Sequence, residues 1–240
     1  MDKNFDLKKK LRHAVIIILG APGSGKGTQS ALLADKLSFY HIETSKLLEE
    51  AFAEAKPGQF VKIKGKKYFL ADEKKLWETG ILCSVPLTYH LIEKRVKDLH
   101  EEGENLILSA SPRTVDEAER LVPLLKNLYG GENIRVIVLD IKPKETLFRN
   151  SHRRICKLIR HPILYSKDNI NLKFCPLDGS RLLKRRGLDD PNSILVRLQE
   201  YKEMTFPLVK YFKKEKLCVK TLNGSLSPSK VFENILKALK

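Results

Sequence analysis

The sequence predicts an α/β protein: a five-stranded parallel sheet with helices on both faces. Three observations predict it. Five short, nearly continuous apolar runs recur along the chain, helical patterns lie between them, and the first run passes through a glycine-rich turn straight into a helix. Continuous apolar runs suit strands buried on both faces, and parallel neighbours require crossover connections, which the helical segments supply.

The first strand is expected at 14–19 (AVIIIL), followed by a helix at 26–37. The other apolar runs fall at 39–42, 105–110, 135–141 and 217–222. Helical patterns occupy 45–55, 71–78, 86–102, 115–129, 144–158, 191–214 and 228–239. Two stretches, 57–70 and 159–187, are rich in Lys, Gly, Pro and Asn and lack the apolar periodicity of core elements. Long insertions in a compact domain are more often lids or binding loops than linkers, so both are expected to move.

The chain has 240 residues, enough for one large domain with insertions. No apolar stretch approaches the roughly 18 residues of a membrane span. The charged start leads into an apolar run too short for a secretory signal, which implies the cytoplasm. Four dispersed cysteines point to reduced thiols or a metal site rather than disulfides. Lys and Arg number 45 against 29 Asp and Glu, a net charge of +16 that favours polyanionic partners. More than half the surplus lies between Arg149 and Arg186, and nothing in the sequence signals an extended apolar interface, so a monomer is expected.

Directly after the first strand stands Gly20-Ala-Pro-Gly-Ser-Gly-Lys-Gly-Thr-Gln29, which matches Gly-x4-Gly-Lys with the lysine at a helix start. Gly20, Gly23, Ser24, Gly25 and Gly27 let backbone N–H groups close around a phosphate, the helix N-terminus adds positive potential, and Lys26 reaches the terminal phosphates. Gly27 stands where Ser or Thr usually follows the lysine, so the Mg²⁺-binding hydroxyl is assigned to Thr28. These residues predict nucleoside triphosphate binding and place the sheet among P-loop NTPase folds.

The same decapeptide resembles the phosphate loop of the adenylate kinase group of nucleoside monophosphate kinases. The resemblance runs on through His41-Ile-Glu-Thr44, Pro112-Arg113-Thr114, Arg149 with Arg153 and Arg154, then Arg186, Asp189 and Arg197, Glu200-Tyr201 and Asn223-Gly224, covering essentially the whole chain. It implies phosphoryl transfer from Mg-ATP to a nucleoside monophosphate. By this resemblance Lys26, Arg153, Arg186 and Arg197 surround the transferred phosphoryl, Arg113 holds the acceptor phosphate and Arg149 stacks on the donor base; a planar guanidinium suits such bidentate phosphate contacts. Arg149 and Arg153, four apart, are expected on one helix face. The implied organisation is a core of 1–43, 83–154 and 189–240, an acceptor-binding insertion at 44–82 and a lid at 155–188.

In lid-bearing members, two pairs of ligands often hold a metal. Here Cys156-Lys-Leu-Ile159 and Cys175-Pro-Leu-Asp178 retain Cys156, Cys175 and Asp178, and Zn²⁺ would need a fourth ligand from His161 or His152. Otherwise the two cysteines are packing residues. The acceptor side departs further from the family pattern: Lys46 replaces an aspartate, Glu49 an arginine, Ser109 the acid that orders the Mg²⁺ water shell, and Glu117 a glutamine that reads adenine. Thr44, Lys46, Arg113 and Glu117 are the expected acceptor contacts. A carboxylate at Glu117 would accept from exocyclic amines, favouring AMP or CMP over UMP. The competing expectation is a nucleotide-binding module without turnover that contacts RNA through its basic lid.

Overall fold

A computed structural model describes residues 7, 11–53, 55–184 and 189–240. Five parallel strands form the central sheet: β1 (Val15–Gly20), β2 (Tyr40–Glu43), β5 (Leu106–Ser109), β6 (Ile134–Asp140) and β10 (Cys218–Asn223), in the order β10-β6-β1-β5-β2. Side chains alternate across a strand, and β1 shows the consequence. Val15, Ile17 and Leu19 join Leu106, Leu108, Val136 and Val138 in one core, against α4 (Val85–Glu101), α5 (Val115–Tyr129) and α8 (Leu208–Lys214). Ile16 and Ile18 join Ile107, Ile137 and Leu139 in the other, against α1 (Lys26–Leu37) and α9 (Pro228–Ala238). Every β1 residue is buried, as a strand covered on both faces must be.

Register fixes where the chemistry sits. Ser109 lies level with Ile18 of β1 and with Glu43 of β2, so the carboxyl ends of β1, β5 and β2 are adjacent. Ligands of open α/β sheets bind at such ends.

Two lobes depart from the sheet. In the first, α2 (Thr44–Ala53), the antiparallel β3 (Phe60–Ile63) and β4 (Lys66–Phe69) and α3 (Leu70–Thr79) enclose a small core of Leu48, Phe52 and Leu70 that extends to Leu87 of α4. The 57–70 stretch, expected to leave the core, does so as a hairpin. Its turn is Lys64-Gly65, both at positive φ (48° and 85°), the backbone of the tight hairpin turn that continues strand twist. In the second, β7 (Arg154–Cys156) pairs antiparallel with β8 (Pro162–Ile163) and β9 (Leu182–Leu183), and only Cys156, Ile163 and Cys175 form its buried cluster among the described residues.

Two predicted helices change. The pattern at 144–158 yields α6 (Pro143–Ser151), which stops at His152; the chain then enters β7, where Arg154 donates to the Leu172 carbonyl at 2.5 Å and to that of Asn169. Tertiary pairing with β8 and β9 overrides helical spacing there. The pattern at 191–214 divides into α7 (Pro191–Glu200), a π turn over Tyr201–Thr205 and α8. Pro207 lacks the N–H an unbroken helix would use, and the widened turn absorbs the misfit.

Candidate functional site

The loop between β1 and α1 forms one wall of a cleft. Gly25, the N-cap of α1, has φ 94°, and Gly23 has φ 79°. Both lie in the left-handed region where side chains are strained. A Cβ on Gly23 would also fall 2.6 Å from the Asn150 amide nitrogen, which donates to the Thr146 carbonyl at 2.8 Å. Space beside Gly25 is open: a Cβ there would meet nothing within 4 Å, so the left-handed backbone and not crowding is what calls for glycine. Ser24 is buried and its Oγ has no hydrogen-bond partner among the described residues, while Thr28 is half-buried in the first turn of α1.

Lys26 sends Nζ back over the loop to the carbonyls of Gly20 (2.6 Å) and Ala21 (3.0 Å). Burial pushes its pKa well below the usual lysine value, and the charges of Arg113, Arg197 and Arg153 push it further. Four cations therefore converge from the loop, the β5 tip, α7 and the residues after α6. Like charges held together in a poorly solvated place repel, and a polyanion entering the cleft relieves that repulsion.

Each arginine is oriented by a distinct device. Arg113 donates from Nε to the Ala110 carbonyl at 2.8 Å; its own carbonyl accepts from Thr205 Oγ1 at 2.8 Å. Burial lowers its pKa, and Glu117 opposes that shift. Arg153 lies past the end of α6, so it does not share a helix face with Arg149; it forms a two-pronged pair with buried Asp189, with Nε to Oδ2 at 3.1 Å. Arg149 stays on α6, held by Glu145 at 2.5 Å, and donates to the Gly224 carbonyl at 3.0 Å beside the phosphate loop. Arg197 lines the cleft with Gly80, Glu200 and Tyr201. Arg186 lies outside the described residues.

The acceptor-side expectations fare unevenly. Thr44 is buried at the start of α2, and its hydroxyl has no partner among the described residues. Lys46 is largely exposed and pairs with Glu43 at 3.7 Å. Glu117 requires a correction: it is 2% exposed, one carboxylate oxygen accepts from Ser111 Oγ and the other from the Arg113 N–H at 2.9 Å. Both oxygens brace the β5 tip, so Glu117 holds Arg113 in place instead of facing a base, and the argument from exocyclic amines falls. Ser109 is buried, with Oγ 2.7 Å from His41 Nε2.

In the second lobe, Cys156, His161, Cys175 and Asp178 bring one ligand atom each within 4.8 Å of one another. Cys156 Sγ lies 3.0 Å from His161 Nδ1, and Cys175 Sγ lies 3.4 Å from His161 Nε2. The N–H groups of Leu177 and Asp178 both donate to Cys175 Sγ, at 3.2 and 3.3 Å. His152 goes elsewhere: it packs against the rings of Phe148 and Tyr165. Two sulfurs, an imidazole and a carboxylate are a donor set that fits tetrahedral Zn²⁺.

Three positions gain no role from sequence reasoning. Thr205 and Glu200 line the cleft and Asn150 lies under its loop: the first donates to the Arg113 carbonyl, the charge of the second opposes the lowering of the Arg113 pKa by burial, and the third approaches Gly23. The Glu-Tyr-x3-Thr spacing at 200–205 is the available signal.

Comparison with known proteins agrees with this geometry. Residues 18–217 match the family described as adenylate kinase. The adenylate kinase of Chlamydia muridarum is 34% identical over 225 residues, covering 93% of this chain and 86% of the relative. Those of Hydrogenobaculum sp. and Methanothrix thermoacetophila are each 32% identical, covering 94% and 93% of this chain and 100% and 97% of the relatives. The chain belongs to the adenylate kinase family, phosphotransferases that move a phosphoryl group between ATP and a nucleoside monophosphate.

Proposed function

We propose that the protein phosphorylates AMP with Mg-ATP, with Lys26, Arg113, Arg153 and Arg197 as the groups that touch the reacting phosphates and Arg186 completing the set. The single observation that carries the residue assignment is the convergence of Lys26 with three arginines at the carboxyl ends of the strands. AMP is proposed because the relatives are named adenylate kinases. An oxygen of the acceptor phosphate attacks the γ-phosphorus while its bond to the β-γ bridging oxygen breaks, releasing ADP. Little covalent chemistry falls to the protein: Arg113 aligns the acceptor phosphate, and Lys26, Arg153 and Arg197 neutralise the transferred group.

Adenylate kinases use Mg²⁺. Thr28 would hold it here, and its hydroxyl, with the unpartnered Ser24 hydroxyl nearby in the loop, is a hard oxygen donor of the type Mg²⁺ takes. When bound, Mg²⁺ supplies neutralisation of the β- and γ-phosphate oxygens. Ser109 brings a hydroxyl, not a carboxylate, to the β5 tip, so the phosphates themselves would carry most of the ion. Gly20, Gly23, Ser24, Gly25 and Gly27 cradle the donor phosphates, Arg149 flanks the donor base, and Thr44 and Lys46 face the acceptor.

The reading includes 44–82 as the acceptor-binding insertion, 155–188 as the lid, and a monomer in the cytoplasm; no described helix is long and apolar enough to cross a membrane. It also includes Zn²⁺ on Cys156, His161, Cys175 and Asp178. A lobe with three buried residues in its own cluster has little apolar burial to hold it, and a metal would supply what the core lacks. The RNA-binding alternative is disfavoured by the lid region's own bonding: Arg153, Arg154 and Arg160 are engaged by Asp189, by two lid carbonyls and by Glu49.

A panel of AMP, CMP, GMP and UMP with Mg-ATP tests the acceptor. AMP is expected to give the highest kcat/KM; a faster alternative acceptor overturns the AMP assignment. For the lid, metal content of protein purified without chelator is expected near one zinc per chain, and less than about half overturns that site.

A further inference from the structure

Arg160 of the lid and Glu49 of α2 meet at 3.3 Å, 111 residues apart in sequence. Among the described residues it is the one ion pair that joins the 44–82 and 155–184 segments. Neither partner is placed by accident of a loose side chain on a loose loop. Arg160 occupies the link between β7 and β8 at φ 56°, a left-handed conformation unfavourable for a residue with a Cβ. The link is nevertheless pinned at successive amides: Cys156 N–H to the His161 carbonyl (3.3 Å), Lys157 N–H to that of Arg181 (2.9 Å), Leu158 N–H to Ser180 Oγ (3.1 Å) and Ile159 N–H to Asp178 Oδ2 (3.5 Å). Arg160 directly precedes His161, so the side-chain quartet of the lid fixes the point from which the guanidinium projects. Glu49 sits on a helix anchored by Leu48 and Phe52 in the core of the first lobe, about one turn from Thr44 and from Lys46.

We propose that Arg160 and Glu49 are a positioning pair that couples lid closure to the acceptor-binding helix, so that the acceptor nucleotide is gripped only beneath a closed lid. The proposal rests on the assignment of 44–82 and 155–188 as acceptor-binding and lid insertions. Its magnitude suits the task. The side chains are 51% and 25% exposed, and pairs this open to water shift an equilibrium by about two- to fivefold. A coupling of that size favours closure over bound substrate without trapping the product, whereas a buried pair would hold the lobes shut.

The test is a double-mutant cycle of Arg160→Gln, Glu49→Gln and the double variant, with Arg160→Lys as the charge-retaining control. Either neutral variant is expected to raise the KM for AMP about two- to fivefold at unchanged kcat, the double variant to be no worse than either single, and Arg160→Lys to stay near wild type. Effects that multiply in the double variant, or a fall in kcat at constant KM, overturn the coupling. A second arm needs no turnover: spin labels on Lys62→Cys and Lys167→Cys, in a Cys218→Ser background, report the distance between the lobes. All three neutral variants are expected to shift the distribution toward longer distances to the same extent; unchanged distributions overturn the proposal. If wild type makes no diphosphate, the kinase reading fails while the distance arm still decides the pair.

Discussion

The two sides of the cleft are built from different materials. On the donor side, backbone does the positioning: two glycines at positive φ, a buried Asn150 behind Gly23 and a helix N-terminus at Gly25 leave the chain little choice of path. In the two lobes that leave the sheet, side-chain charge does it: Lys46 against Glu43, and Glu49 against Arg160. Backbone geometry cannot be exchanged one residue at a time without strain. Charges can move between neighbouring elements as long as partners move together, so the acceptor side can be rewritten while the phosphate loop stays legible.

The largest effect belongs to the donor side. Lys26→Ala removes the loop cation proposed to contact the reacting phosphates, and kcat is expected to fall about a thousandfold, the upper range for loss of one preorganised charge-stabilising donor. A steady-state assay that finds less than a tenfold fall removes Lys26 from the reacting phosphates and erases the contrast between the two sides.

That contrast also explains what the sequence discloses. The sheet and α5, at 115–129 in both expectation and structure, follow from apolar periodicity, a local signal that buried residues such as Leu121 and Leu125 obey. The glycine spacing of the loop specifies a path, so its residues can be read directly. Glu117 is not legible in the same way, because a carboxylate's partners, here Ser111 Oγ and the Arg113 N–H, depend on how the β5 tip turns and not on spacing. The helical pattern at 144–158 overruns the actual helix because Arg154 looks helical beside Arg149 until the lid carbonyls that bind it are in place. Arg160 and Glu49 each look like a solvated surface charge; only the fold puts one opposite the other.

The second lobe supplies the next largest effect. Cys175→Ser removes a sulfur that receives two backbone N–H groups and belongs to the four-residue cluster. It is expected to speed amide hydrogen exchange across 154–163 at least tenfold while leaving β1 and β6 unchanged, because those strands lie in the main cores. Chelator treatment of wild type should reproduce the change. Uniform acceleration through the sheet would mean that the lid is not a separately held lobe.

A smaller effect is expected at Thr205→Val, which keeps the shape but removes the hydrogen bond to the Arg113 carbonyl. One such bond is worth about 1 kcal/mol, so kcat/KM should fall about fivefold. Circular dichroism should show no loss of helix, and an unchanged kcat/KM would leave the π turn without a part in orienting Arg113.

The smallest effect tests whether the polar strand tip has a pH signature of its own. Burial lowers the His41 pKa from its usual 6.5; Glu43 opposes the shift and Lys46 adds to it. The native state therefore resists protonation that the unfolded chain accepts, and the unfolded chain binds more protons as pH drops below about 6.5. Stability contributed by neutral His41 is present above that value and is lost as pH falls through the depressed folded pKa. His41→Gln removes the titration while keeping an amide that can reach Ser109 Oγ. Between pH 7.5 and pH 5.5 the urea midpoint should drop more for wild type than for the variant. Equal drops would mean that His41 titrates alike in both states, and the contact with Ser109 would then be a hydrogen bond indifferent to the charge of the ring.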